Sequence, residues 1–333
     1  MELNVIWFLL IMILFMGFFI LEGFDYGVGI LLIGKSDYER SMMIRAIGPV
    51  WDGNEVWMIT AGGALFAAFP HVYATMFSTF YLALFLMLLA LILRGAAFEL
   101  RGKHHSMDWR RTWDYSIIFG SLVPAILWGV AITNLLQGLP IDAQMHYLGK
   151  FIDLLSPYTL LGGITFALLF AFHGALFLLL KLADARIILK LKRQGLCIGI
   201  AGMIVYLVFT AATAFATDVT IRFTWFTPFV VGIISYCNAW VAMRRERYFP
   251  AFIFSVFVIA ATTLAMFSGL FPRLMVSSLN PDWSLTIMNA ASTPHTLFIM
   301  TIAAIIMVPI VLAYQSWTYK IFKDRITPDD LNH

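Results

Sequence analysis

The stretch GPVWDGNEVWMITAGGALFAAFP, residues 48–70, joins two halves of opposite character. The second half is apolar enough to enter a bilayer, while the first carries Asp52, Asn54 and Glu55. A carboxylate at the middle of a membrane helix costs about 2.5–3.5 kcal/mol even on the lenient insertion scale. Composition decides what kind of segment this is. Of 333 residues, 61% are hydrophobic and only 12% charged, with 30 Phe and 10 Trp. A soluble domain is about 25% charged. The sequence therefore describes one continuous integral membrane domain over residues 1–333, almost all of it in lipid. The net charge of +3 carries no nucleic-acid signal, because the cations lie in short loops.

A span needs about 20 predominantly apolar residues. That rule gives an all-α protein of nine transmembrane helices, over about 5–33, 51–69, 72–94, 113–136, 156–181, 196–217, 224–243, 248–271 and 296–319. Only FPHVY separates the second from the third, which predicts a tight turn and a helical hairpin. Gly62, Gly63, Gly162 and Gly163 suit close helix contact. Alternating ten-residue segments of the kind a β-barrel needs are not visible. The opening MELNV has no basic region and no cleavage site follows the first apolar run, so that run is expected to stay as a helix. Cys197 and Cys237 sit inside apolar segments and read as small buried side chains, neither a disulfide framework nor a metal site.

Lys and Arg set the orientation. Nineteen of the 22 fall after the first, third, fifth and seventh helices or in the C-terminal tail, and only Lys150, Arg222 and Arg273 lie on the other side. The N-terminus is expected outside and the C-terminus in the cytoplasm. Depth follows at about 1.5 Å per residue. Asp25 then lies about 12 Å from the cytoplasmic end of the first helix, with Glu22 one turn deeper on nearly the same face. Asp52 stands at the start of the second helix and Glu55 about 4.5 Å further in. Four carboxylates, Asp52, Glu55, Asp25 and Glu22, are expected to climb from the cytoplasm toward mid-membrane. Closely spaced buried carboxylates cannot all stay ionised, so protons can be held and passed along them. A structural alternative is that Asp52 and Asn54 cap the second helix. Capping leaves Glu22 and Asp25 unexplained, since both sit within a span.

Other polar residues say less. His173 can ligate haem iron, take a proton, or be satisfied by a neighbouring helix. Trp51 and Trp57 bracket the acids as interface anchors. Arg94, Glu99, Arg101 and Asp114 are expected to pair at the cytoplasmic boundary. No metal site, phosphate loop, CxxC or HExxH is present, so soluble-type catalysis has no support.

Several stretches together carry a family likeness: EGFDYGVG (22–29), WDGNEVWMITAGGALFAAFP (51–70), YLALFLMLLALILRGAAFE (81–99), WDYSIIFGSLVPAILWGVAITNLLQG (113–138), AMFSGLFPRLMVSSLNP (265–281), SLTIMNAAST (284–293) and the tail YKIFKDRIT (319–327). The chain resembles subunit II of the cytochrome bd-type quinol oxidases from the first helix to the tail. The resemblance implies two four-helix bundles plus one peripheral helix, paired with a similar subunit I in the bacterial cytoplasmic (inner) membrane. It implies two haems b and one haem d, held by subunit I, with quinol as substrate and dioxygen reduced to water by cytoplasmic protons without pumping; whether the third haem is d or b stays open. Subunit II would complete the haem environment and the proton route, and small single-helix accessory subunits would join. Asp25 and Asp52 match acids of the proton pathway, Trp57 a tryptophan near an oxygen entrance, and Trp51 lies beside the pathway aspartate. Glu55 stands where some relatives have glutamine, and His173 matches no haem ligand. Residues 271–294 would form an outer loop against subunit I. A purely structural partner of the haem-bearing subunit and an ion-coupled transporter remain as alternatives.

Overall fold

Runs of Leu, Ile and Phe long enough to cross a bilayer fold as helices, because only a helix satisfies its own backbone in lipid. The computed structural model describes residues 3–221 and 223–331. Its α-helices are α1 (Leu3–Leu31), α2 (Asp37–Ile47), α3 (Trp51–Ala68), α4 (Pro70–Thr79), α5 (Tyr81–Leu100), α6 (Met107–Gln137), α7 (Pro157–Lys181), α8 (Ala185–Ala216), α9 (Phe226–Arg244), α10 (Tyr248–Leu270) and α11 (Pro294–Ile321). Between α10 and α11 a short antiparallel pair, β1 (Arg273–Met275) and β2 (Leu285–Thr286), sets Arg273 opposite Thr286. Arg222, one of the three cations assigned to the far side, lies outside the described residues.

Eight of these helices are long and apolar enough to cross a membrane: all but α2, α3 and α4. The stretch expected as the second span is helical, as α3, but Asp52, Asn54 and Glu55 in its first two turns keep it below that apolarity, so eight rather than nine helices meet it. The expected third span starts earlier and is broken. Phe69 alone separates α3 from α4, and Phe80 interrupts the helix before α5. The FPHVY turn thus reduces to one residue, with a short helix after it. Helix α8 starts 11 residues before the expected 196, because ARIILKLKRQ is helical outside the apolar run.

The helix the apolar rule passes over is α2. Ser36 and Glu39 form a reciprocal capping box at its start, and Met42, Met43, Ala46 and Ile47 are buried beneath it. Its charged face is tied down by Arg101 to Asp37 (2.7 Å), Arg110 to Asp37 (2.8 Å) and Arg40 to Asp114 (2.9 Å).

Helix α1 is central, packing on α3, α6, α7, α10 and α11. Two crossings bring backbones together. A Cβ on Gly27 would strike the Phe170 carbonyl of α7, and one on Gly174 would strike Gly27 in return. On the other side of α7, Gly162 and Gly163 meet Gly129 and Val130 of α6. Small residues at such crossings let van der Waals contact replace the hydrophobic drive that lipid removes. Phe19, Trp128, Phe166 and Phe170 fill the space between these helices edge to face, with Phe19 and Trp128 5.6 Å apart. In contrast, α11 packs mainly on α1 and α3 and has a single buried residue among those described, Leu297. Cys197 and Cys237, expected to be buried, are free and exposed on the outer faces of α8 and α9.

Candidate functional site

The polar interior is built where α1, α3, α5 and α11 meet. Helical spacing puts Glu22, Asp25 and Tyr26 on adjoining positions of α1, and all three are fully buried. Glu22 Oε1 accepts a hydrogen bond from Arg94 Nη1 of α5, a buried ion pair. The Arg94 guanidinium lies over the Tyr26 ring, 4.8 Å from its centroid. Arg94 is therefore not at the boundary with Glu99, as expected, but inside. Arg101 and Asp114 do pair, at 2.6 Å, while Glu99 is exposed and joins none of these pairs.

Asp25 is held differently. Its Oδ2 accepts from Asn54 Nδ2 of α3 at 2.7 Å. Asn54 Oδ1 accepts from the Tyr319 hydroxyl at 2.8 Å and from Gln315 Nε2 at 3.4 Å, both on α11. Gln315 Oε1 in turn accepts from Trp57 Nε1 at 2.8 Å. The indole orients the glutamine, and the glutamine and tyrosine together leave the asparagine only its NH2 for Asp25. Val50 occupies the cap position of α3 without any side-chain capping bond, so Asp52 and Asn54 do not cap the helix. Instead, Asn54 holds Asp25.

Several polar atoms here are buried without a partner in the chain: Glu22 Oε2, Asp25 Oδ1, Tyr26 Oη, and Arg94 Nε and Nη2. Buried polar groups need hydrogen-bond partners, so this interior has capacity for water or for groups of a neighbouring chain. Glu55 is half-buried and within electrostatic reach of Glu22, Asp25, Arg94 and Asp52. Asp52 is exposed, on a face of α3 shared with Val56, Ile59 and Phe66. The four acids thus form a graded series: Asp52 at the surface, Glu55 half-way, Asp25 and Glu22 inside. Trp51 packs against Phe98 with the rings tilted and their centroids 4.9 Å apart, while Trp57 is half-buried over Gly17. Gln315 and Tyr319 escaped the sequence reading, as did the depth of Arg94.

His173 is the one buried histidine among the described residues. Its Nδ1 pairs with Ser255 Oγ at 2.7 Å and its Nε2 with the Ile20 carbonyl at 3.0 Å. A ring nitrogen bonded to a carbonyl is not offered to iron, so this side chain does not fit an axial haem ligand, and the described residues contain no cluster of His, Cys, Asp and Glu able to hold a metal. Residues 271–294 fold back on their own chain: Leu139 N donates to Val276 O at 2.9 Å and Asn4 Nδ2 to Ile287 O at 2.8 Å. Leu279, Trp283 and Met288 are left exposed there.

Comparison with known proteins gives the family of the chain. Residues 3–322 match the family model described as cytochrome bd terminal oxidase subunit II. The chain is 41% identical over 332 residues to the cytochrome bd ubiquinol oxidase subunit 2 of Bacillus subtilis, covering 98% of this chain and 97% of that one. It is 36% identical over 369 residues to the cytochrome bd-I ubiquinol oxidase subunit 2 of Escherichia coli K12, covering 99% and 96%. Its fold is similar to a chain of the bd oxidase structure from Geobacillus thermodenitrificans, with a TM-score of 0.77 at 16% identity over 97% of this chain and 99% of that one. The chain belongs to the subunit II family of the cytochrome bd terminal oxidases, and is thus a multi-helix bacterial membrane subunit of a haem-containing respiratory oxidoreductase that works with a partner subunit I.

Proposed function

We propose that this subunit supplies the cytoplasmic proton route of a quinol:O2 oxidoreductase, delivering protons through Asp52, Glu55 and Asp25 toward the oxygen-reducing haems of subunit I. Its relatives are named as ubiquinol oxidase subunits, and quinol is the reductant assigned here. In this reading the two haems b and the haem d belong to the partner, where haem chemistry reduces dioxygen; His173, bonded to Ser255 and Ile20, is consistent with that assignment. In this reading the basic ends of the helices face the cytoplasm of a bacterial inner membrane and the N-terminus lies outside. Helix α3 is counted as the ninth span, its acids turned to the protein or to subunit I. Helices α1, α3, α5 and α6 make one four-helix unit and α7 to α10 the second, within one membrane domain, with α11 peripheral; the small accessory subunits are left to the same complex.

The observation that carries this is the fixed polarity around Asp25. Asn54 binds one carboxylate oxygen, and the other oxygen, Oδ1, is buried with no partner in the chain. A proton can reside on Oδ1 without breaking the bond at Oδ2. Glu22 acts differently: it offsets the buried charge of Arg94, and the pair sets a constant field beside Asp25. Two buried charges that neutralise one another cost far less than either alone. Asp52, exposed on the chain's surface, collects protons, and Glu55 lies between it and the interior. Trp57 and Gln315 keep Asn54 in the required orientation, a role that needs no oxygen entrance.

A reduced-minus-oxidised spectrum and oxygen consumption of the complex captured through this chain test the reading together. Haem bands and quinol-dependent oxygen uptake are expected. Capture of a haem-free complex, or of one that consumes no oxygen, would leave α1 and α3 with a purely structural role.

A further inference from the structure

At the basic end of the molecule a cleft of about 530 Å³ opens between the turn after α1, the start of α2 and the N-terminal part of α8. Gly34, Lys35, Glu39, Lys190, Arg193 and Gln194 line it, with Cys197 at its lip. Three cations face one carboxylate, and that carboxylate is fully committed. Glu39 Oε1 is bound by Lys190 at 2.7 Å, and its Oε2 accepts from Ser36 N at 2.9 Å and Ser36 Oγ at 3.0 Å. Burial works against the Glu39 charge, but Lys190 and Ser36 outweigh it and hold its carboxyl down to about 2, so it stays an anion that has nothing left to offer.

The other two cations lack a counter-ion. Lys35 Nζ donates to the neutral Gln194 Oε1 at 2.6 Å and has no carboxylate within ion-pair distance. Half-burial pulls its ammonium below the ordinary lysine range, with the nearby Lys190 cation adding to the effect and the Glu39 carboxylate only partly opposing it. Arg193 is exposed, and no carboxylate pairs with it among the described residues. Gly34 has a φ of +73° and open space where a Cβ would stand, which keeps the floor of the cleft clear.

What lies beside the cleft identifies the occupant. Along α8 the same face continues from Arg193 through Cys197, Ile200, Ile204 and Leu207, all exposed. Spacings of three and four residues line them up on one stripe. A cationic cleft at the end of an exposed apolar stripe has the layout of a phospholipid: a phosphate at the interface and acyl chains down the helix. Lys and Arg at a membrane boundary favour anionic lipids by both charge and charge-assisted hydrogen bonds. We infer that this cleft is a binding site for the phosphate of an anionic phospholipid headgroup, held by Lys35 and Arg193, with its chains lying along α8.

The test uses the intact complex, stripped of lipid in detergent, with thermal stability followed as phosphatidylglycerol, phosphatidylcholine or inorganic phosphate is added. Phosphatidylglycerol is expected to stabilise the complex, phosphatidylcholine and free phosphate much less. Removing each cation, by Lys35→Gln or Arg193→Gln, should weaken the apparent phosphatidylglycerol affinity about tenfold. Arg193→Lys should retain most of it, and Arg45→Gln, an exposed cation outside the cleft, should change nothing. Should Lys35→Gln fail to assemble, the exposed Arg193 carries the test alone. Equal stabilisation by phosphatidylcholine, or by phosphate alone at equal concentration, would overturn the lipid assignment. So would an unchanged phosphatidylglycerol affinity in Arg193→Gln.

Discussion

Asn54 of α3 donates its amide to Asp25 of α1 at 2.7 Å, and this bond links the two helices that carry Glu22, Asp25, Asp52 and Glu55. Its direction is set from a third helix, since Tyr319 of α11 occupies the Asn54 carbonyl oxygen at 2.8 Å. A helix with one buried residue thereby orients the amide that binds a fully buried carboxylate.

Tyr319→Phe removes that hydroxyl and frees the Asn54 amide to rotate. One net hydrogen bond is worth about 1 kcal/mol, so oxygen reduction should fall about fivefold with haem content unchanged. Gln315→Leu should act in the same direction, and the double variant should cost less than the two effects combined, because both residues act through Asn54. Steady-state oxygen uptake at saturating quinol measures it.

Arg94→Gln leaves Glu22 buried without its partner. Breaking a buried ion pair from one side costs about 3–5 kcal/mol, so the yield of assembled complex should collapse. Glu22→Gln with Arg94→Gln should recover part of the loss, because no uncompensated charge remains. Size-exclusion profiles and thermal melting of the three variants decide it.

His173→Gln should leave the reduced-minus-oxidised spectrum unaltered, since both ring nitrogens are used by Ser255 and Ile20. The complex should be less stable, because the substitution strands buried partners on α1 and α10. A lost or shifted haem band would make His173 a ligand after all.

The Glu39 carboxyl is held at about 2, against an ordinary value near 4.5. A depressed folded-state value means that its contribution to stability is complete above about pH 4.5 and fades as pH falls toward 2. The difference in melting temperature between the native chain and Glu39→Gln should therefore be constant from neutral pH to about 5 and shrink below that. A difference that grows on acidification would contradict the pairing with Lys190 and Ser36.

The spans were legible because lipid imposes one rule on every residue, and apolar length is the whole signal. Helix α2 escaped because charges dominate its composition, and its buried Met42, Met43 and Ile47 make only a short apolar stripe. Glu22 and Asp25 could be read as buried acids, but not their partners. Arg94, within LALILRGAAF, falls at the expected end of the third apolar run, where a charge reads equally as a boundary anchor. Apolar residues on both sides were the available sign of its burial. Gln315 and Tyr319 lie near the end of the last span, where polar and aromatic residues are ordinary interface features. Their role depends on α11 crossing α3 beside Asn54, a tertiary fact that no spacing encodes. Exposure decreases from Asp52 through Glu55 to Asp25 and Glu22, a gradient of burial in the chain and not of depth in the membrane.

The account rests on Asp25 carrying protons, and substitution by asparagine tests that most directly. Asp25→Asn keeps the shape and a hydrogen bond to Asn54 but cannot hold a transferable proton. In the assembled complex with full haem content, oxygen reduction should fall by at least about 100-fold, the loss typical when a proton-transfer group is removed. Unchanged oxygen uptake at full haem occupancy would contradict the proton route.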